Sequence, residues 1–175
     1  METYRLRVFY KKEGISRFIS HLSFCKLIER SLRRLNLPLK FSQGFTPHPK
    51  ISFCPPLPIP IIGENEFFEV EIYEKIDIEK FIERINTILP EGTIVKKCYW
   101  VQNKFSLSSV YAIYTIPLKD NIIKEKSERL GKIVEEKDDF IKVIFKMEIF
   151  NHRKVFVNGV FDGITRELFI KNEKI

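Results

Sequence analysis

With 175 residues, 44 % apolar and 13 % aromatic side chains, the chain can bury a core as one domain or two small ones, which excludes disorder and collagen-like repeats. The 30 Lys and Arg outnumber 23 Asp and Glu, and residues 1–54 alone hold eleven basic against three acidic side chains, so the whole +7 excess lies in the first third. Such asymmetry points to a localised anionic partner, nucleic acid first. No stretch approaches the roughly 18 apolar residues of a membrane span, and Met1 to Arg7 lacks the apolar region of a signal peptide, so a cytoplasmic protein with no membrane partner is expected. Cys25, Cys54 and Cys98 are odd in number and widely spaced, which suits reduced thiols and provides neither an iron–sulfur cluster nor a Cys-based zinc knuckle.

The first element is a strand over Tyr4–Tyr10, where Tyr4, Leu6, Val8 and Tyr10 alternate with Arg5, Arg7 and Phe9. Gly14 breaks it. Ser20 then offers an N-cap for a helix reaching about Asn36, with Leu22, Cys25, Ile28, Leu32 and Leu35 at three- and four-residue spacing and Pro38 as the stop. Short strands at Leu39–Ser42 and Lys50–Phe53 flank Gln43–Pro49, whose Gly44, Pro47 and Pro49 disfavour regular structure, and Pro55–Gly63 is a second Pro-rich turn. Glu66–Tyr73 alternates as a strand, Asp77 caps a helix that ends at Pro90 and Gly92, and Thr93–Val101 reads as a strand. Beyond Asn103–Ser109 the reading is a strand at Val110–Pro117, a weaker helix around 120–136, a long strand at Phe140–Phe150 and another at Val155–Asn158.

The order β-α-β-(β)-β-α-β is the split βαβ arrangement of a ferredoxin-like domain. The expected fold is therefore α+β: a ferredoxin-like (βαββαβ) N-terminal domain over residues 1–102, carrying the basic helix and the Gly/Pro/His loop, and a smaller, abbreviated βαββ unit over 103–175.

At 100° per residue, one face of the first helix gathers His21, Leu22, Phe24, Cys25, Ile28, Leu32 and Leu35, while Lys26, Arg30, Arg33 and Arg34 form the opposite, cationic strip. Cations about 5–6 Å apart can neutralise successive phosphates, although a solvated helix face has the same pattern. Beside it lies the least generic segment of the chain. Gly44 lets backbone approach a ligand, Phe45 offers a stacking face, Ser42, Gln43, Thr46 and His48 supply hydrogen-bonding groups, and Lys40 and Lys50 bracket the loop with charge. The bland alternative has Gly and Pro shaping a crossover turn with Phe45 plugged into the core. Arg5, Arg7 and Phe9 fall on the sheet face away from the helices, where Glu69 and Glu71 can cancel the arginines across neighbouring strands. His21 and His48 could instead serve a metal-independent ribonuclease, and His21, Cys25, His48 and Cys54 could hold zinc, though His21 on the apolar arc reads first as a packed histidine and the four match no established ligand spacing. His152 marks a turn in Asn151–Lys154.

Segments 14–22 (GISRFISHL), 27–34 (LIERSLRR), 37–39 (LPL), 42–53 (SQGFTPHPKISF) and 89–92 (LPEG) resemble a family of bacterial radical-SAM-linked proteins, a domain of unknown function found alone or fused behind a cobalamin-binding radical SAM module. The likeness is dense over about residues 3–100 and thin beyond Ser109, where 155–163 (VFVNGVFDG) replaces the charged segment that members often carry. It implies a radical SAM partner and, through the genomic company of ribonuclease and ribosomal genes, an RNA context, without assigning an activity. The family's distinctive positions map to Arg17, Ser20, His21, Ser42, Gln43, Gly44, Phe45, Pro47, His48 and Pro49.

The expected function is a non-catalytic RNA-binding or substrate-presenting module, for tRNA or rRNA, that works with a radical SAM enzyme and carries no metal or small-molecule cofactor of its own. Arg17, Lys26, Arg30, Arg33, Arg34, Lys40 and Lys50 would contact phosphate, and Ser42 to His48 would read a loop or base. The rivals are a metal-independent endoribonuclease of tandem ferredoxin-like type, using His21 or His48, and a protein–protein adaptor for the radical SAM enzyme.

Overall fold

The computed structural model describes residues 2–117, 131–148 and 163–171. Tyr4–Lys12 forms β1, His21–Arg34 α1, Ile51–Phe53 β2, Ile62–Ile72 β3, Ile78–Asn86 α2 and Thr93–Val101 β4. Val110–Pro117 (β5), Lys132–Glu136 (β6), Phe140–Lys146 (β7) and Thr165–Ile170 (β8) complete the described elements. The protein is a mixed α+β fold in which two helices accompany one eight-stranded sheet.

The helix ends lie where side-chain chemistry puts them. The Ser20 hydroxyl accepts from the Ser23 amide and the Asp77 carboxylate from the Lys80 amide, each satisfying a donor that its helix leaves open. Between α1 and β2, only single bridges form at Leu39 and Phe41, because Pro38, Pro47 and Pro49 interrupt any longer ladder. β3 starts at Ile62, four residues ahead of the expected Glu66, and this longer strand is what joins the two parts of the sheet.

The strand order is β4-β1-β3-β8-β5-β7-β6, with β2 paired to β3. β1 lies antiparallel between β3 and β4. The far edge of β3 is shared: residues 68–70 pair with β2, and residues 62–65 run parallel to β8. Leu6, Val8, Tyr10, Phe68, Val70 and Ile72 pack on one side against Phe24, Ile28 and Leu32 of α1 and Phe81 and Ile85 of α2. On the other side Phe9 and Phe67 join Ala112, Tyr114, Val143, Phe145 and Leu168, so the strands of the second half cover the reverse of β1 and β3. Period-two alternation thus feeds two cores from the same two strands.

That covering changes the meaning of the first strand's arginines. Arg7 is 1 % exposed and donates to Glu69 at 2.7 and 2.9 Å, Arg5 pairs with Glu71 at 2.7 Å, and the Phe105 amide also donates to Glu69. The cancellation expected across β1 and β3 is present, and the face is interior as well.

Three differences from the sequence reading have clear causes. Residues 132–136, expected as the end of a helix, are an edge strand in which no side chain is fully buried; a short Lys/Glu-rich strand at a sheet edge has the composition of an exposed helix. The strand at Phe140 ends at Lys146 rather than Phe150, with Met147 and Glu148 in a turn. β8 was not expected, and its buried positions are Arg166, Leu168 and Ile170, so an arginine occupies an inward position and disguises the alternation. The rest of the expected helix, the strand at Val155–Asn158 and the turn at His152 lie outside the described residues.

Candidate functional site

The two features singled out by sequence, the cationic helix and the loop after it, meet at Glu29. One oxygen of its carboxylate accepts from Arg33 Nε and Nη2 at 3.1 and 2.9 Å and lies 3.3 Å from His48 Nδ1. Burial raises the Glu29 pKa, but the hydrogen bonds from Arg33 and His48 outweigh it and the net shift is downward, which keeps the carboxylate charged. Arg33 also donates to the Pro47 carbonyl at 3.2 Å, and its guanidinium lies over the Phe41 ring. Ser42 and His48 close the loop by exchanging two hydrogen bonds, Ser42 N to His48 O at 2.8 Å and His48 N to Ser42 Oγ at 3.1 Å.

This clamp holds up an aromatic side chain with nothing beneath it. Phe45 is fully exposed at the tip, next to Gly44, whose φ of +139° few other residues adopt without strain. The core-plug alternative is thereby removed. Gln43, Thr46, Pro47 and His48 are exposed around it and Ser42 is half-buried.

The seven cations expected to face phosphate divide by what else they touch. Lys26, Arg30 and Arg34 on α1, and Lys50 beyond the loop, are exposed and have no ion-pair partner among the described residues. Arg33 belongs to the clamp, and Lys40 is bridged to Glu71 at 2.9 Å, so both are occupied inside the protein. Arg17 lies half-buried ahead of α1 with its guanidinium over Phe18 and its Nε buried without a hydrogen-bond partner among the described residues. Leu22, placed on the apolar arc, is 74 % exposed: the first turn of α1 overhangs the edge of the core.

His21 opens α1, whereas His48 lies in the loop and meets α1 at Glu29, and the two share no partner among the described residues. His21 Nε2 lies 3.6 Å from Cys25 Sγ, its ring meets Phe53 edge-on, and burial, aided by Lys12, lowers its pKa. Cys54 is buried and donates to Glu66 at 3.4 Å, with burial pushing its pKa up. The four candidate zinc ligands therefore do not converge, and among the described residues no three His, Cys, Asp or Glu side chains form a metal-holding group.

A cleft of about 750 Å³ opens beside this end of α1. Its walls come from three distant stretches: His21, the segment from Ile51 to Pro56, and Lys104, Phe105, Leu107 and Met147 from the second half. Sequence periodicity carries no signal for such a convergence. Behind it, Arg166 of β8 is wholly buried, donates from Nε to Glu66 at 2.8 Å, and reaches the carbonyls of Pro55 and Pro56 at 2.9 and 3.0 Å.

A model of an uncharacterized protein conserved in bacteria matches residues 5–154. The chain belongs to this family, DUF2344. No curated protein matches it. The DUF2344 match takes in α1, the Phe45 loop and every wall of the cleft, while Arg166, which braces the Pro55–Pro56 wall, lies beyond it.

Proposed function

We propose that the protein is a non-catalytic RNA-binding, substrate-presenting module that works with a radical SAM enzyme acting on RNA or the ribosome. The observation that carries the RNA reading is Phe45: an aromatic ring exposed to water on a loop that Glu29, Arg33, Ser42 and His48 hold in place, beside cations with no ion-pair partner among the described residues. A fixed ring offers a stacking platform for an unpaired base, and the loop is ordered before binding, which lowers the entropic cost of recognition. Lys26, Arg30, Arg34 and Lys50 supply the phosphate contacts. Arg33 and Lys40 position the loop and its stem, and Arg17 borders the helix start. The radical SAM partner is supported by the likeness in residues 14–22 and 42–53 alone. In the same reading, residues 1–102 are a ferredoxin-like unit, for which the order β4-β1-β3-β2 is the support, and residues 103–175 are a second unit sharing its sheet.

Titration of a short fluorescent single-stranded RNA by anisotropy tests the surface. Four phosphate contacts at about 0.7 each give a log–log salt slope near −3, or roughly a 50-fold loss of affinity between 50 and 200 mM salt. Replacing Lys26, Arg30 and Arg34 together with Glu should abolish binding, whereas Lys40→Met should leave the slope unchanged. Binding retained in the triple variant would remove the assignment, and co-purification of the tagged chain from its native cell checks the partner.

A further inference from the structure

β2 shows the sheet an edge on one side and the cleft an edge on the other. Its register with β3 sets Ile51 opposite Val70 and Phe53 opposite Phe68, while the cross-strand bonds flanking it run from Glu71 N to Lys50 O and from Cys54 N to Phe67 O. In an antiparallel ladder, bonding residues alternate, so Lys50, Ser52 and Cys54 face β3 and the N–H and C=O groups of Ile51 and Phe53 face outward. β8 leaves them uncovered, since it pairs with β3 only over 62–65, and none of these four backbone groups has a hydrogen-bond partner among the described residues. They lie at the cleft, with Phe53 and Phe105 among its walls.

We propose that this cleft receives an unstacked nucleobase from the RNA strand whose neighbouring base stacks on Phe45. The inference rests on the RNA-binding reading above and names what its second contact holds. A nucleobase is flat, so aromatic and apolar walls suit its faces, and its rim carries donors and acceptors that the outward edge of Ile51 and Phe53 can meet in kind. Lys104 at the cleft is exposed, has no ion-pair partner among the described residues, and can meet the attached phosphate; among the described residues no carboxylate lines the cleft. His21 supplies a further ring nitrogen and, with its pKa lowered by burial, stays neutral near pH 7 and keeps both donor and acceptor character. The cleft and the Glu29 anchor of the loop lie along one helix: from His21 to Glu29 is eight residues, a rise of about 12 Å, a span that nearby nucleotides of one strand can bridge.

The same edge could accept an extended peptide as an added strand, but the observations favour the base. β2 is three residues long, bounded by Pro49 before it and Pro55–Pro56 after it, so only two residues present an outward edge. Among the described residues, the ionisable side chains in the lining besides the Cys54 thiol are His21 and Lys104.

Amide and methionine-methyl NMR on the full chain decides between them, with AMP, UMP, inorganic phosphate, an acidic-apolar hexapeptide and a short single-stranded RNA as probes. AMP and UMP at millimolar concentration should shift the Ile51 and Phe53 amides and the Met147 methyl, and phosphate alone should not. Lys104→Glu should weaken RNA binding about fivefold, while Phe45→Ala should leave the mononucleotide shifts in place. RNA that binds while the mononucleotides move none of these signals would overturn the cleft assignment and leave the surface reading standing. A peptide that shifts them in place of the mononucleotides would overturn it in favour of a protein partner, and failure of RNA to bind at low salt would overturn both readings.

Discussion

Arg166→Met should be among the most damaging single substitutions in this protein, and its cost follows from what the side chain leaves behind. Arg166 and Glu66 are 0 % and 1 % exposed, and the guanidinium donates to both carboxylate oxygens and to the carbonyls of Pro55 and Pro56. Removing it strands a buried carboxylate whose remaining side-chain donor among the described residues is the weak Cys54 thiol at 3.4 Å, and two carbonyls lose the guanidinium as well. Breaking such a pair from one side costs about 3–5 kcal/mol, a large share of the 5–15 kcal/mol typical of a folded chain. At about 2–4 °C per kcal/mol for this size, Tm should fall by about 6–20 °C. The double variant Arg166→Met, Glu66→Met removes both charges and should recover at least half of the loss, because two apolar side chains carry no desolvation debt. Thermal and urea denaturation of all four proteins in the cycle measure this. A single-variant loss below about 1 kcal/mol, or a double variant as unstable as the summed singles, would refute the coupling.

Phe45→Ala should change stability by less than about 0.5 kcal/mol, since the ring is fully exposed, yet weaken single-stranded RNA binding about tenfold with no change in salt slope. A Tm drop of many degrees would mean that the ring supports the loop instead. Gly92→Ala should destabilise by about 2 kcal/mol, because φ is +83° and a Cβ would collide with the carbonyl oxygen of Glu13, the residue whose amide donates to the Gly92 carbonyl; chemical denaturation showing no loss would contradict the geometry. The Glu71 pKa is raised by burial but lowered further by the hydrogen bonds from Lys40 and Arg5, for a net downward shift. Its folded pKa lies below the unfolded value of about 4.3, so the stability it contributes is present above that value and is lost as pH falls through the folded one. Stability measured across pH 2–6 should show a shallower acid limb in Glu71→Gln.

The sequence displayed local chemistry well. Ser20 and Asp77 announced the two helix starts, Pro38 and Pro90 their ends, and the alternation of Tyr4–Tyr10 and Glu66–Tyr73 announced strands, because these signals depend on neighbours in the chain. Glu69 and Glu71 opposite Arg5 and Arg7 were also legible, since strand order implies cross-strand pairs. What stayed hidden depends on distant parts. Arg166 has the composition of surface and the burial of core because Glu66, a hundred positions away, neutralises it. The division of the cations into free and occupied required knowing that Glu29 faces His48 and that Lys40 faces Glu71. The cleft joins His21 to Met147, and no window along the chain contains both.

β8 bonds in parallel to β3 and antiparallel to β5, and so completes a sheet begun about a hundred residues earlier. During synthesis, β3 keeps an open edge at Ile62–Asn65 and β5 an open edge at Val110–Thr115 until Thr165–Ile170 has left the ribosome. Both edges border apolar core, the kind of surface that pairs with whatever strand arrives first. The nascent chain therefore has a long window in which its helical half can form while its middle stays adhesive, and a chain cut short of Thr165 should be recovered from cells as aggregate.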